Sequence, residues 1–468
     1  MKKLKIFYMI LMTLFFVSCQ TFVEDVPEID PTRPTDADLA LVMTGTQVEY
    51  MSTMEGELAR LAGMWSGYFT GSDRQYIPLY NYDITATTSD SPWGNVYSFV
   101  FRQSRIVQDK STALGNKLSL GVAQILEAHI MGMAAATWGD VPYSEAIDNV
   151  KFPNPKYDPQ SQVVDNLITL LDKAIVNLNS GVGTLGGDFL SGGGAPGTVL
   201  PGVASKWIKV AYSLKARYLL YKKDYAGALA AANLGVDITA NNLMAPHGTV
   251  NDQNRNIYYD FHERQRFGYL TAKNSFLAKK LDPASPTKRN HAKTVETARF
   301  GLYYSGTLPN YDIKVSSTGF FGSAASFPLV TAYESKLIAA ECQARLNGVG
   351  TGVAALNVHR ALLRTAFPAG TYTDFVVTDF AAGGVENADN VADADALLRE
   401  ILEEKYVSLY GQIEIFNEIR RTNNAVGVPA NSGTQIPARF LYSQNEINAN
   451  KSTPNPIPGL FTKTTLFQ

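Results

Sequence analysis

The residues best able to move protons near neutral pH are His129, His247, His262, His291 and His359, and their spacing does not suit catalysis. None falls in the HExxH spacing that places two imidazoles and a general base on one helix face. His262 is followed directly by Glu263, but neighbours in sequence rarely face a common substrate, so the pair is not read as a general base. His129 lies among apolar residues of a helical stretch and is expected in the core. The run Gly181-Val182-Gly183-Thr184-Leu185-Gly186 is formally GxGxxG. A dinucleotide fingerprint leaves a strand and opens a helix, whereas this run leaves a helix and enters more glycine. Residues 181–202 are therefore read as a flexible connector. Asp389, Asp393, Asp395 and Glu400 loosely resemble a calcium loop but lack its glycine and its third-position ligand. Helix capping by Asp393 or Asp395 is the expected role. Cys342 is read as a small buried residue. No catalytic residue, cofactor or metal is expected.

What remains is the chemistry of recognition. The chain holds 24 Tyr and 23 Phe against 4 Trp, with only 18% charged residues, which suits a polar, uncharged, aromatic-dotted surface. The formal charge of −2 offers no basic excess to neutralise phosphates, which argues against nucleic acid as a partner. A pyranose stacks its apolar face on a flat aromatic ring, much as bases do on stacking platforms. Asn, Asp, Arg and Tyr hydroxyls then supply directional hydrogen bonds. Two irregular stretches carry this mixture. The first offers Arg74, Tyr76, Tyr80, Asn81, Tyr82, Asp83 and Trp93, and the second Arg255, Asn256, Tyr258, Tyr259, Tyr303 and Tyr304. Each of these rings could equally be packed beneath a long loop, and Trp93 could staple the helix that follows it.

Helical segments must position these stretches. Residues 122–146 begin with Val122, Leu126, Ile130 and Met133, one buried face of a 3.6-residue period, and end in a corner at Trp138-Gly139-Asp140-Val141-Pro142. Helical period also marks 38–64, 94–110, 160–179, 204–240, 329–347, 353–366 and 395–420. The pair over 204–240 joins a large-residue helix to an Ala-rich partner through Lys222-Lys223-Asp224, which resembles a tetratricopeptide unit. The tail 428–468 is rich in Pro, Asn and Ser and shows no period.

The N-terminus reads as targeting rather than structure. Lys2, Lys3 and Lys5 precede an apolar run, Ile6 to Val17, too short to span a bilayer. Phe16-Val17-Ser18-Cys19 resembles a bacterial lipoprotein cleavage box, with Cys19 the lipidated residue. Of the 41 Lys and Arg, three leave with residues 1–18, so 38 face 43 Asp and Glu in the mature chain. No later segment approaches 18 consecutive apolar residues, so a lipid on Cys19 would be the only membrane attachment. The chain is read as a signal peptide (1–18), an acidic, Pro-rich tether (19–37) and one α-rich ligand-binding domain (38–468).

Several segments together resemble the SusD/RagB family of nutrient-binding outer-membrane lipoproteins. Residues 125–146 are similar to its helix and "YGDVPYSEA" corner, and Lys206 to Arg217 to its "KWxKxANSLKxR" helix, with Tyr212 where Asn is usual. Phe327 to Glu334 with Ala340-Glu341 resemble its third tetratricopeptide helix. Glu404 to Thr422 resemble "EKWxALF…EAWxEWRRTG", and Pro437 to Tyr442 with Glu446 resemble "PxRxxYPxxE". The resemblance implies a mainly α, tetratricopeptide-like scaffold carrying long aromatic-rich loops. It implies a lipid-anchored protein on the outer surface of a Bacteroidetes-type bacterium, acting as the lid of a SusC-like TonB-dependent transporter. It implies binding of an oligosaccharide, or in some members a peptide, without chemistry. The other reading weighed is a tetratricopeptide adaptor with no small ligand.

Overall fold

The computed structural model describes residues 37–191 and 202–468. The signal segment, Cys19 and nearly all of the tether lie outside them. The longer helices are α1 (Leu39–Met54), α2 (Glu57–Trp65), α3 (Arg102–Ala113), α4 (Lys117–Trp138), α5 (Gln160–Asn179) and α6 (Val203–Tyr221). They continue as α7 (Tyr225–Leu234), α8 (Ala332–Asn347), α9 (Val349–Ala366), α10 (Asp393–Ser408) and α11 (Glu414–Arg421).

Helix α4 is where the sequence pattern understates the structure. Its period suggests one buried face, yet it is buried from Leu118 to Trp138 on nearly every side, because α3, α5 and α6 all pack against it. Small residues permit the approach. A Cβ on Gly132 would fall 2.0 Å from the Tyr218 hydroxyl, which donates to the Ala128 carbonyl at 2.7 Å. By length and composition α4 could cross a membrane, but its apolar window is 94% buried, the mark of a core helix. It ends as expected at Gly139, whose φ of 86° is open to glycine at little cost. Val141–Pro142 then pairs with Tyr157–Asp158. The fully buried Asp158 accepts from the Tyr143 and Ser144 backbone N–H groups and the Ser144 hydroxyl, fixing the corner.

Consecutive helices stack from α3 to α9, each against the next, in tetratricopeptide-like pairs. Asp224 caps α7 by accepting from Gly227 N at 2.9 Å, and Lys223 takes the left-handed turn at φ 61°. The expected 38–64 helix is broken at Glu55-Gly56 into α1 and α2. The expected 395–420 helix is broken by Leu409 to Ile413 into α10 and α11. Asp393 and Asp395 do not cap α10; they lie within its first turn, where carboxylates favour the dipole. The glycine-rich run is anchored rather than free over its described part. Asn116 Oδ1 accepts from Thr184 N, and buried Asp188 accepts from Gln47, Ser191 and the Trp207 indole. The chain between α7 and α8 leaves and returns through one antiparallel pair, Leu243–Ala245 with Phe327–Val330.

Buried charges bind the stack. Arg421 donates to both oxygens of Glu341 on α8, at 2.9 and 2.7 Å, and to both oxygens of Glu418. Arg299 is clasped by Glu296 and by Glu404 on α10 at 2.5 Å. Arg217 on α6 pairs bidentately with Glu334 on α8, at 2.7 and 2.6 Å. Removing Arg421 leaves the buried Glu341 with Arg345 and the buried Glu418 with Lys405 as their remaining cations. Arg421→Ala is expected to lower the unfolding free energy by about 3–5 kcal/mol in urea titration. Lys215→Ala, which removes a half-exposed pair with Asp172, should cost less than about 1 kcal/mol. Equal losses would show that the clasp contributes no more than a surface pair.

Candidate functional site

The two aromatic stretches, nearly 200 residues apart, meet in space. Thr70–Gly71 pairs antiparallel with Leu270–Thr271, and the Tyr76 ring lies 5.0 Å from Phe261 and 6.0 Å from Tyr269. Most of the rings face inward. Tyr258 stacks on Phe321 at 4.1 Å, and Tyr303 on Tyr410 at 4.2 Å. Their hydroxyls serve the backbone of irregular segments, which has no ladder of its own. Tyr258 donates to Gly411 O, Tyr304 to Tyr68 O, Tyr406 to Ser66 O and Tyr410 to Tyr303 O. A buried carbonyl must find a donor, and here tyrosine supplies it. The aromatic-dotted surface expected from composition is thus largely an aromatic interior.

This sorts the candidate residues. Tyr258, Tyr303 and Tyr304 are buried in that interior. Asn256 is buried as the cap of a short helix, accepting from Tyr258 N and Tyr259 N. Tyr76 is buried, its hydroxyl accepting from Arg60 Nε at 3.0 Å. Tyr82 is buried and accepts from Asn431 N at 2.7 Å. Arg74, Asn81 and Asp83 are exposed, and Tyr80, Arg255 and Tyr259 are half-buried. Arg255 lies over the Tyr259 ring at 5.6 Å. Arg74 and Tyr82 hold positive φ, 43° and 69°, which is uncommon outside glycine.

The outward groups define a surface. Phe267, 75% exposed, projects from the turn Arg266-Phe267-Gly268. Beside it Tyr269 lies under two guanidiniums, Arg74 at 5.8 Å and Arg266 at 5.9 Å. Ile77 is exposed on the facing segment. An exposed aromatic ring beside guanidiniums can stack a ring and hydrogen-bond its rim. Phe267 escaped the sequence reading because neither its neighbours nor any period distinguishes an outward Phe from an inward one.

Trp93 faces elsewhere. It stacks on Tyr97 at 4.7 Å, meets Trp138 and Tyr442 edge-on, and lines a separate cleft of 390 Å³ with Arg102, Asn149 and Glu446. Ile147 on its wall has φ 79°, strained for a β-branched residue.

The histidines are all committed. His129 contacts Tyr50 and Arg217, His247 contacts Glu55, His291 contacts Glu386, and His359 contacts Glu404. His262 does pair with its neighbour Glu263, at 2.8 Å, and with Asp312 at 3.3 Å. Among the described residues no group of three or more His, Cys, Asp or Glu is placed to hold a metal. Asp389 is taken by Arg399 and Glu400 by Arg289. Cys342 is buried, and burial pushes its thiol up to about 12, so it is no nucleophile at neutral pH.

The described residues make a helical scaffold whose irregular stretches turn a few aromatic and guanidinium groups outward. The chain belongs to the SusD-like family described as "starch-binding associating with outer membrane", whose pattern it matches over residues 31–443. It is similar in structure to a SusD homologue from Bacteroides uniformis, with 17% identity, 92% of this chain and 100% of that one covered, and a TM-score of 0.69. It is similar to a SusD/RagB family protein from Bacteroides thetaiotaomicron, with 19% identity, 89% and 95% covered, and a TM-score of 0.58. It is also similar to a chitin-binding SusD homologue from Flavobacterium johnsoniae, with 14% identity, 91% and 98% covered, and a TM-score of 0.64. No curated protein matches the chain.

The His262 clamp beneath Phe267 gives a pH dependence. Burial lowers the imidazole pKa, but hydrogen bonds and charge from Asp312 and Glu263 outweigh it and leave the pKa raised. A raised pKa means that folding takes up protons. The stabilisation is fully present below about pH 6.5 and is lost as pH rises through the folded value. Wild type should therefore exceed His262→Gln in urea midpoint most at acidic pH, with the margin shrinking on the alkaline side. A margin constant with pH would contradict the clamp.

Proposed function

We propose that this protein is a surface lipoprotein, anchored through Cys19, that captures an oligosaccharide and passes it to a SusC-like TonB-dependent transporter in the outer membrane. The single observation that carries the reading is the exposed Phe267 ring beside Tyr269, Arg74 and Arg266, on a face assembled from both aromatic stretches. Family membership and the chitin-binding relative from Flavobacterium support a saccharide as the ligand. Half-buried Tyr80 and Tyr259, with Arg255, Asn81 and Asp83, would supply the outer contacts of a chain longer than one sugar. The ligand is bound and released unchanged, with no catalytic role for any residue of the face.

Affinity gels against starch, chitin oligosaccharides and other glycans test this. Phe267→Ala should weaken retention on the bound glycan by about tenfold, since stacking on one aromatic contributes about 1–3 kcal/mol and about 1.4 kcal/mol is tenfold. Retention of peptides but of no glycan by wild type would overturn the proposal. Cys19→Ser should move the protein from the membrane fraction to the soluble one.

A further inference from the structure

A second cleft, of 340 Å³, lies between the end of α11, the segment 434–438 and the tail from Phe461 to Phe467. Its lining contains two cations, Arg420 and Lys463, and no carboxylate. That sets it apart from the Trp93 cleft, which holds Asp90 and Glu446, and from a third cleft, where Lys280 and Arg289 meet Glu400 and Glu403.

Arg420 differs from the other buried arginines of the helical stack. Arg217, Arg299 and Arg421 each have a carboxylate in salt-bridge contact. Arg420, 8% exposed, donates to Phe416 O at 3.1 Å, Ala438 O at 2.9 Å, Ala136 O at 2.8 Å and Asn417 Oδ1 at 2.5 Å, and to no carboxylate among the described residues. Arg439, also buried, donates to Trp138 O and Phe440 O and likewise has no acidic partner there. Both guanidiniums therefore sit at the C-terminus of α4, whose dipole supplies only about half a negative charge. The nearby Glu414 is already taken up by Tyr221, Asn417 and Arg217. Burial pulls the Arg420 pKa down to about 9 against the influence of Tyr221 and Glu414, and Arg439 adds to the fall. The guanidinium also lies over the Phe416 and Phe467 rings, at 4.0 and 4.9 Å, but no carboxylate among the described residues faces it. A buried cation held only by neutral acceptors and ring faces favours an anion.

The rest of the lining suits a sugar ring. Phe461 is 49% exposed, and its edge meets Tyr82 at 6.3 Å. The side-chain amides of Asn423 and Gln435 are exposed and have no partner among the described residues, and neither has the Lys463 ammonium. The cleft adjoins the first aromatic stretch through the contact of Phe461 with Tyr82.

We propose that this cleft binds an acidic sugar residue, carrying a carboxylate or sulfate group, with the anion toward Arg420 and Lys463 and the pyranose against Phe461. The inference rests on the saccharide-binding reading above and narrows its ligand class. Calorimetric titration of the full chain with trigalacturonate, galactotriose, sulfated galactotriose and inorganic sulfate tests it. At least one acidic trisaccharide should bind about tenfold or more tighter than galactotriose at low salt, and the preference should fall as salt screens it. A carboxylate site favours trigalacturonate, and a sulfate site favours the sulfated form. Lys463→Gln, at an exposed position that spares the fold, should abolish the preference. Phe461→Ala should weaken the acidic trisaccharides about tenfold. Equal affinity for acidic and neutral trisaccharides, a preference that survives Lys463→Gln, or binding of inorganic sulfate alone would each overturn it. Retention of neutral glycans in those cases would leave the broader saccharide reading standing, whereas absence of all glycan binding would remove both.

Discussion

Arg217 lies on a chain of polar contacts that crosses five helices. Tyr50 on α1 meets His129 on α4 at 2.5 Å, His129 meets Arg217 on α6 at 2.9 Å, and Arg217 pairs with Glu334 on α8. Glu414 on α11 stands 3.8 Å from the same guanidinium and accepts from the Tyr221 hydroxyl. Arginine only donates, so His129 Nε2 must accept, and the imidazole carries its proton on Nδ1 toward the Tyr50 oxygen. Burial and Arg217 depress the pKa of His129, which agrees with a neutral ring. Apolar surfaces could slide past one another with modest loss. A desolvated chain of donors and acceptors is satisfied in one register only, and that register decides where every loop begins.

The loops face a different constraint. Their backbone polar groups are buried without strands long enough to pair them. Tyrosine meets both needs, filling space with its ring and answering a carbonyl with its hydroxyl. Tyr406, Tyr410 and Tyr304 do this for the carbonyls of Ser66, Tyr303 and Tyr68. The irregular stretches are therefore as well founded as the helices, and only their outermost residues are free to meet a ligand.

This explains what was legible in the sequence. The 160–179 helix, the Lys222-Lys223-Asp224 turn, the Gly139 corner and the buried Cys342 depend on local chemistry, and the chain states them locally. The direction of a tyrosine does not. Tyr258 is turned inward by Gly411, 153 residues away, and Tyr82 by Asn431, 349 away. No periodicity in an irregular segment carries that information. The same holds for the glycine-rich run, which looks free until Asn116 and Gln47 are seen to hold it. The Val122 to Met133 stripe marks one buried face correctly, but the other faces of α4 are buried by partners that its own sequence does not name.

The antiparallel pair Leu243–Ala245 with Phe327–Val330 brings the two ends of the α7–α8 excursion side by side. Strands so paired lie about 4.8 Å apart, a gap that stays the same whatever the chain does between them. The excursion thus behaves as a cartridge in a fixed socket. Its length and its outward residues, Phe267 among them, can be exchanged without moving α7 against α8. The groups plugged into the shared interior, such as the Tyr258 and Tyr303 rings and the Arg299 guanidinium, are bound to stay. A scaffold of this kind can change what it recognises by editing a few exposed positions, while the residues that hold it together go untouched.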